Sequence, residues 1–172
     1  MSVDYTYFAR KFNDYSMKTK VLFVCLGNIC RSPMAEGLFI NKVHSLGIQD
    51  EFTIDSAGTA GYHAGGLPDQ RMRETAKRRG IELRSRARQI LPSDLLEFDI
   101  ILAMDDSNYD NILQLSNGNH HAEIIKMGKF FDESEPDVPD PYYGGQKGFE
   151  DVFDMLDKSC DNLLEYINTH KN

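Results

Sequence analysis

Residues 21–24 (Val-Leu-Phe-Val) form an uninterrupted apolar run that ends at Cys25. So short a run, with no polar alternation, predicts a strand buried on both faces, as in a parallel sheet. Ala35, Leu38, Phe39, Lys42, Val43 and Leu46 then recur at helical spacing. Pro33 suits the first turn of that helix, where its missing N–H costs nothing, and Gly47 suits its end. Residues 52–56 predict a second strand, and residues 57–66, with four glycines, a loop. Pro68 predicts the opening of a helix that runs to about Arg79, with Gly80 as its stop. The apolar stretch 98–104 reads as a third strand, Ser107 as the N-cap of a short helix toward Leu115, and residues 122–127 as a fourth strand. Residues 149–167 predict a final amphipathic helix, with Phe149, Val152, Phe153, Leu156, Cys160, Leu163, Leu164 and Ile167 on one stripe. This alternation predicts an α/β fold: a single doubly wound sheet of about four parallel strands with helices on both faces. Ligands bind such sheets beyond the carboxyl ends of the strands, which is where Cys25 falls.

Residues 1–19 do not fit the alternation. Tyr5, Phe8, Phe12 and Tyr15 recur there at helical spacing, as a docking stripe or as part of a disordered extension, so the expected domain is 20–172. A chain of 172 residues is long enough for one domain with a sizeable core. No apolar run approaches the roughly 18 residues of a membrane span, and no secretory signal is evident. Three cysteines suggest no disulfide framework, so the expected location is the cytoplasm. No Cys and His spacing resembles a zinc site, and His120 and His121 read as a solvated loop. The net charge of −8 argues against nucleic acid or an anionic membrane as partner. Basic residues concentrate from Arg71 to Arg88 and acidic ones from 132 to 161, a polarity that suits partner orientation or, more simply, solvated helix faces.

The candidate chemistry lies in residues 25–33, CLGNICRSP. A loop between a strand end and a helix N-terminus carries free N–H groups and the positive end of the helix dipole, which favour an anion. Successive amides from Leu26 through Cys30 can form an anion nest, and Arg31 can hold two phosphate oxygens with its planar fork. The same field favours the thiolate of Cys25, to which the Ser32 hydroxyl can donate, and a thiolate is a nucleophile. A buried structural cysteine beside a capping serine would explain Cys25 taken alone. Asn28 suits a left-handed backbone position within the loop. The proline-, glycine- and acid-rich stretch 135–145 supplies Asp140 as a candidate general acid, with Asp137 as its competitor. Tyr142 and Tyr143 can wall a slot and Ile29 can contribute its apolar surface, a setting suited to an aromatic ring. No metal or cofactor is called for. Cys30 lies close enough in sequence for its sulfur to approach that of Cys25.

The string CLGNICR followed by SP resembles the active-site loop of the low-molecular-weight protein tyrosine phosphatases, and so do DSAGT (55–59), ARQI (87–90), MDDSN (104–108) and DPYYGG (140–145). The resemblance covers the chain from about Lys20 onward. It implies hydrolysis of phosphotyrosine through a cysteinyl-phosphate, with Cys25, Arg31 and Asp140 as the reacting groups. It also implies Tyr62 as an aromatic wall, Ser56 as the brace of Asn28, and Asp105 as an orienting acid, for which an N-cap role is the alternative. A histidine that often joins this network in the family is matched here by Ser85. The resemblance implies a reversible Cys25–Cys30 disulfide and, as partners, phosphotyrosine-containing proteins, a bacterial tyrosine kinase among the candidates. The chain is expected to be a monomer. Three alternatives remain. A protein arginine phosphatase is one, although a related bacterial branch has threonine at the Ile29 position and one aromatic after the DP pair. An arsenate reductase on the same fold is another, although it needs two further cysteines near the third strand. The third is a non-catalytic phosphotyrosine-binding module.

Overall fold

The computed structural model describes residues 17–170. Strands β1 (Thr19–Cys25), β2 (Phe52–Gly58), β3 (Ile100–Ala103) and β4 (Glu123–Lys126) form one sheet in the order β2-β1-β3-β4. Every pairing is parallel, with Cys25 opposite Gly58 and Val24 opposite Ala103. The helices are α1 (Arg31–Ser45), α2 (Gln70–Arg78), α3 (Asp94–Glu97), α4 (Asp106–Ser116) and α5 (Gln146–His170), with 3₁₀ turns at Gln49–Glu51 and Met127–Phe130.

The apolar run 21–24 is fully buried because β1 is central and covered on both faces. Val21 and Phe23 face a core shared with Met34, Leu38 and Phe39 of α1, Met72 of α2 and the α5 stripe. Leu22 and Val24 face the opposite core with Leu95, Phe98 and Ile112. Each such large apolar side chain contributes about 1.5–3 kcal/mol on burial. Phe39 adds tilted and edge-on contacts with Phe23 and Phe52, at centroid distances of 5.8 and 5.5 Å. All eight residues of the expected α5 stripe are buried, and Cys160 is core.

The chain moves from β1 to β2 on one side and then crosses to β3 on the other. The carboxyl end of β1 is therefore the switch point of the sheet, where a crevice opens. At this point the loop after Cys25 packs tightly on the end of β2. A Cβ on Gly58 would lie 2.7 Å from the Leu26 carbonyl oxygen and 3.1 Å from the Asn28 amide nitrogen, so only glycine permits the approach.

Several boundaries differ from the expected ones. The helix expected from Pro68 begins at Gln70, because the Asp69 side chain caps it by accepting from the Arg71 amide. Ser107 is not a cap. Asp105 holds that position in extended backbone and accepts from the Asn108 amide at 2.7 Å, leaving Ser107 exposed within the first turn. The third and fourth strands are shorter than expected, and α5 extends three residues beyond the apolar stripe at each end. Tyr5, Phe8, Phe12 and Tyr15 lie outside the described residues.

The basic and acidic segments meet where α2 ends against α5. Arg78 at the end of α2 and Arg79 just beyond it pair with Glu150 and Asp154 of α5, whereas Arg88 pairs outside the acidic stretch, with Asp55 and Asp94. The exposed pairs are worth little individually. Among the described residues, no helix is long and apolar enough to cross a membrane.

Candidate active site

The α1 N-terminus carries no capping side chain and no acidic residue in its first turn. Among the described residues, no protein acceptor takes the amide protons of Gly27, Asn28, Ile29 or Cys30. Unused amides and the helix dipole therefore converge beside Cys25, the arrangement that binds tetrahedral oxyanions. The Cys25 Sγ lies 3.1 Å from the Ser32 Oγ. The Ser32 hydroxyl oxygen accepts a hydrogen bond from Asn28 Nδ2 at 2.8 Å, so its own proton is left to donate to the sulfur or to the Ala57 carbonyl, 3.3 Å away.

Asn28 has φ +55°, the left-handed region expected for it, and its side chain holds that turn in place. Nδ2 also donates to the Ser56 hydroxyl at 2.9 Å, and Oδ1 accepts from the Arg88 amide at 2.9 Å. The Ser56 hydroxyl in turn donates to Glu36, a buried carboxylate of α1 that the sequence reading did not single out. Burial pushes the Glu36 carboxyl up from its ordinary value, and hydrogen bonds from Ser56 and Ser85 oppose the shift. Ser85 lies beside Glu36, lining the same cleft. The signal for Glu36 was weak: an acid one helical turn after Ser32, on a face otherwise apolar.

Arg31 is 3% exposed. Its Nη1 donates to Asp105 Oδ2 at 2.6 Å and to the Val138 carbonyl at 3.1 Å, and its Nη2 meets Asp140 Oδ2 at 3.3 Å. Burial alone would lower the Arg31 pKa, but the Cys25 sulfur and these two carboxylates raise it above the ordinary value, so the cation is secure. Asp105 carries both roles weighed for it, capping α4 with one oxygen and orienting Arg31 with the other. Asp137 is occupied elsewhere, by Lys126 Nζ at 2.8 Å and the Asp106 amide at 3.2 Å. Asp140 is the carboxylate that reaches the site.

These groups line a cavity of about 330 Å³ formed by Cys25, Leu26, Gly27, Ile29, Cys30, Arg31, Tyr62, His63, Asp140, Tyr142 and Tyr143. The expected residues therefore meet, but the tyrosines do not wall a deep slot. Tyr62 and Tyr143 are 78% and 93% exposed, and Tyr142 is 38% exposed. They line the cavity from loops and stay open to solvent, while half-buried Ile29 adds apolar surface. Tyr142 and Tyr143 meet edge-on at 5.0 Å. His63 was not expected. It packs against the loop, and a Cβ on Gly27 would come within 3.0 Å of its ring. Adjacency to Tyr62 was its signal in the sequence. Cys30 is buried in the same wall. Burial pushes its thiol up, and the charges of Asp69, Cys25 and Asp140 push it the same way, so it is protonated where Cys25 is to react.

A family model described as low molecular weight phosphotyrosine protein phosphatase matches residues 20–172. A fission yeast protein (Schizosaccharomyces pombe) of that description is 44% identical over 150 residues, 86% of this chain and 96% of its own. The crystal structure of a protein tyrosine phosphatase from Entamoeba histolytica, with Hepes in its active site, superposes with a TM-score of 0.85 at 42% identity, covering 90% of this chain and 100% of that one. A Drosophila arginine phosphatase superposes with a TM-score of 0.82 at 31% identity, covering 86% of this chain and 97% of its own.

Proposed function

The chain belongs to the low molecular weight phosphotyrosine protein phosphatase family, and we propose on that premise that residues 20–172 hydrolyse phosphotyrosine in proteins through a phosphocysteine at Cys25. In the first step the Cys25 thiolate attacks phosphorus in line with the ester oxygen. Protonated Asp140 gives its proton to the departing phenolic oxygen. In the second step Asp140 takes a proton from water, which attacks the phosphocysteine and releases phosphate with the thiolate restored. The loop amides and Arg31 hold the three equatorial oxygens throughout. No step is routed through a metal or cofactor.

The observation that carries this reading is the Arg31 guanidinium, which begins the helix after the Cys25 loop and contacts Asp140 from a segment 109 positions away. Nucleophile, oxyanion clamp and acid thereby share one cavity of one chain, so a monomer suffices. The partner is a phosphotyrosine-bearing protein, and a bacterial tyrosine kinase is one candidate. Three unpaired cysteines suit the cytoplasm.

Phosphoarginine is the second reading, supported by the likeness to the Drosophila arginine phosphatase. Ile29 and the three tyrosines at the cavity favour a flat aryl group over a guanidinium. Rates on matched phosphotyrosine, phosphoarginine and phosphoserine peptides decide between them. The expected order places phosphotyrosine first by at least about tenfold, and a preference for phosphoarginine overturns the assignment. An arsenate reductase would need thiols beyond the loop, and the remaining cysteine, Cys160, is sealed in the core.

We extend the proposal to redox protection. Peroxide converts Cys25 to the sulfenic acid, and Cys30 condenses with it to form the S–S bond and release water. Thiol then restores both cysteines. Wild type is expected to regain most activity after peroxide and dithiothreitol, and Cys30→Ser far less, because its sulfenic acid proceeds to irreversible oxidation. Equal recovery of the two proteins refutes the protective disulfide.

A further inference from the structure

Asp69 and Arg71 take no part in the steps above, yet they connect the two halves of the site. The Asp69 amide donates to the Ile29 carbonyl at 2.7 Å, which fastens the cap of α2 to the phosphate loop. The Asp69 carboxylate accepts from Arg71 three times, from its backbone amide at 2.8 Å, Nε at 3.0 Å and Nη2 at 2.8 Å. That fork fixes the plane of the guanidinium. The Arg71 Cζ then lies 5.3 Å from the Tyr142 ring centroid and 4.8 Å from that of Phe149, a cation between two aromatic faces. Phe149 is fully buried in α5, so one side of the sandwich is rigid. On the other side, the Tyr142 amide donates to Asp140 Oδ1 at 3.0 Å.

Before the acid the segment is held by Val138, whose carbonyl accepts from Arg31, and by Asp137, paired with Lys126, whereas after the acid no helix or strand holds it until α5. Residues 132–145 form no helix or strand, Val138 is tied to Met104 by one backbone bond, and Tyr143 is almost wholly exposed. We propose that Arg71 is a positioning residue for proton transfer by Asp140. Its grip on Tyr142 sets the acid's place, and Asp69 sets that grip relative to the Cys25 loop. The inference rests on the phosphatase reading and adds to it a residue that touches neither substrate nor phosphate.

The test is kcat/KM on aryl phosphates whose leaving phenols run from acidic (p-nitrophenol) to basic (phenol), for wild type, Asp140→Asn, Arg71→Met, Arg71→Lys and Asp69→Asn. A good leaving group needs no proton in the transition state, so loss of the acid's position is felt only as the phenol becomes more basic. Arg71→Met is expected to lose about 10- to 100-fold on phenyl phosphate and little on p-nitrophenyl phosphate. Asp140→Asn should follow the same trend more steeply. Arg71→Lys should recover part of the loss, because an ammonium still attracts the rings but cannot reproduce the fork. Asp69→Asn keeps a good helix cap while weakening the fork, and should fall between wild type and Arg71→Met. Thermal midpoints identify any variant that fails to fold, in which case Arg71→Lys and Asp69→Asn carry the test. A deficit equal on every ester, or none, overturns the positioning role alone. A wild type that hydrolyses no aryl phosphate overturns the phosphatase reading and the positioning role together.

Discussion

Replacing Cys25 with serine is expected to lower turnover of phosphotyrosine peptides by at least about 10⁴-fold while leaving their binding measurable. The effect is large because the proposed route needs a sulfur nucleophile at this position. The sulfur's hydrogen-bond partner is the Ser32 hydroxyl, which can stabilise an anion but cannot remove a proton from a serine. A serine at this position would remain an alcohol and a poor nucleophile. Arg31, the loop amides and the cavity are untouched by the substitution, so the phosphate should still be bound. Calorimetry with a phosphotyrosine peptide measures that affinity, and release of inorganic phosphate measures turnover. Wild-type turnover in the serine protein would sink the phosphocysteine route. If the wild type binds but never turns over, the chain is the phosphotyrosine-binding module instead.

The second large effect is expected at Arg31→Lys, about a 10³-fold loss in kcat/KM, or about 4 kcal/mol of transition-state stabilisation. Lysine keeps the charge, so this variant separates geometry from electrostatics. The guanidinium divides its fork among Asp105, the Val138 carbonyl and Asp140, and it is planar enough to offer two parallel donors to phosphate. An ammonium is a point charge and cannot hold these partners and two phosphate oxygens in one plane. Asp105 would then lose its 2.6 Å partner in a largely buried place. Inorganic phosphate as a competitive inhibitor should weaken in parallel with the loss of kcat/KM. A variant with a wild-type inhibition constant and rate would show that charge alone suffices at this position.

The strand, loop and helix around Cys25 were legible because their signals are local. An apolar run of four residues, a proline in the first turn and a glycine at the end define the element, and Asn28 announces its left-handed turn by residue type. Ser107 and Asp105 both suit the cap of α4 by residue type, and only the backbone angles decide for Asp105. The tyrosines were recognised as neighbours of the site, but their exposure was not, since nothing in DPYYGG tells whether another element packs behind it. His63, Glu36 and Arg71 were missed for one reason. Each acts through a partner distant in sequence, and each looks in isolation like a loop or helix residue of no special kind.

The sequence by itself determined the α/β class, the anion-binding turn after β1 and the identity of its thiol and guanidinium, because each follows from the chemistry of residues within one turn of one another. For the choice of Asp140 over Asp137 the sequence offered only a resemblance, and the physical reason lies in the tertiary structure. The sheet order β2-β1-β3-β4 brings the carboxyl ends of β1 and β3 side by side, and the chain returning from β4 then lays Val138 and Asp140 over Arg31 while Lys126 draws Asp137 away. Such contacts depend on where a crossover lands, a geometric fact that no local periodicity carries.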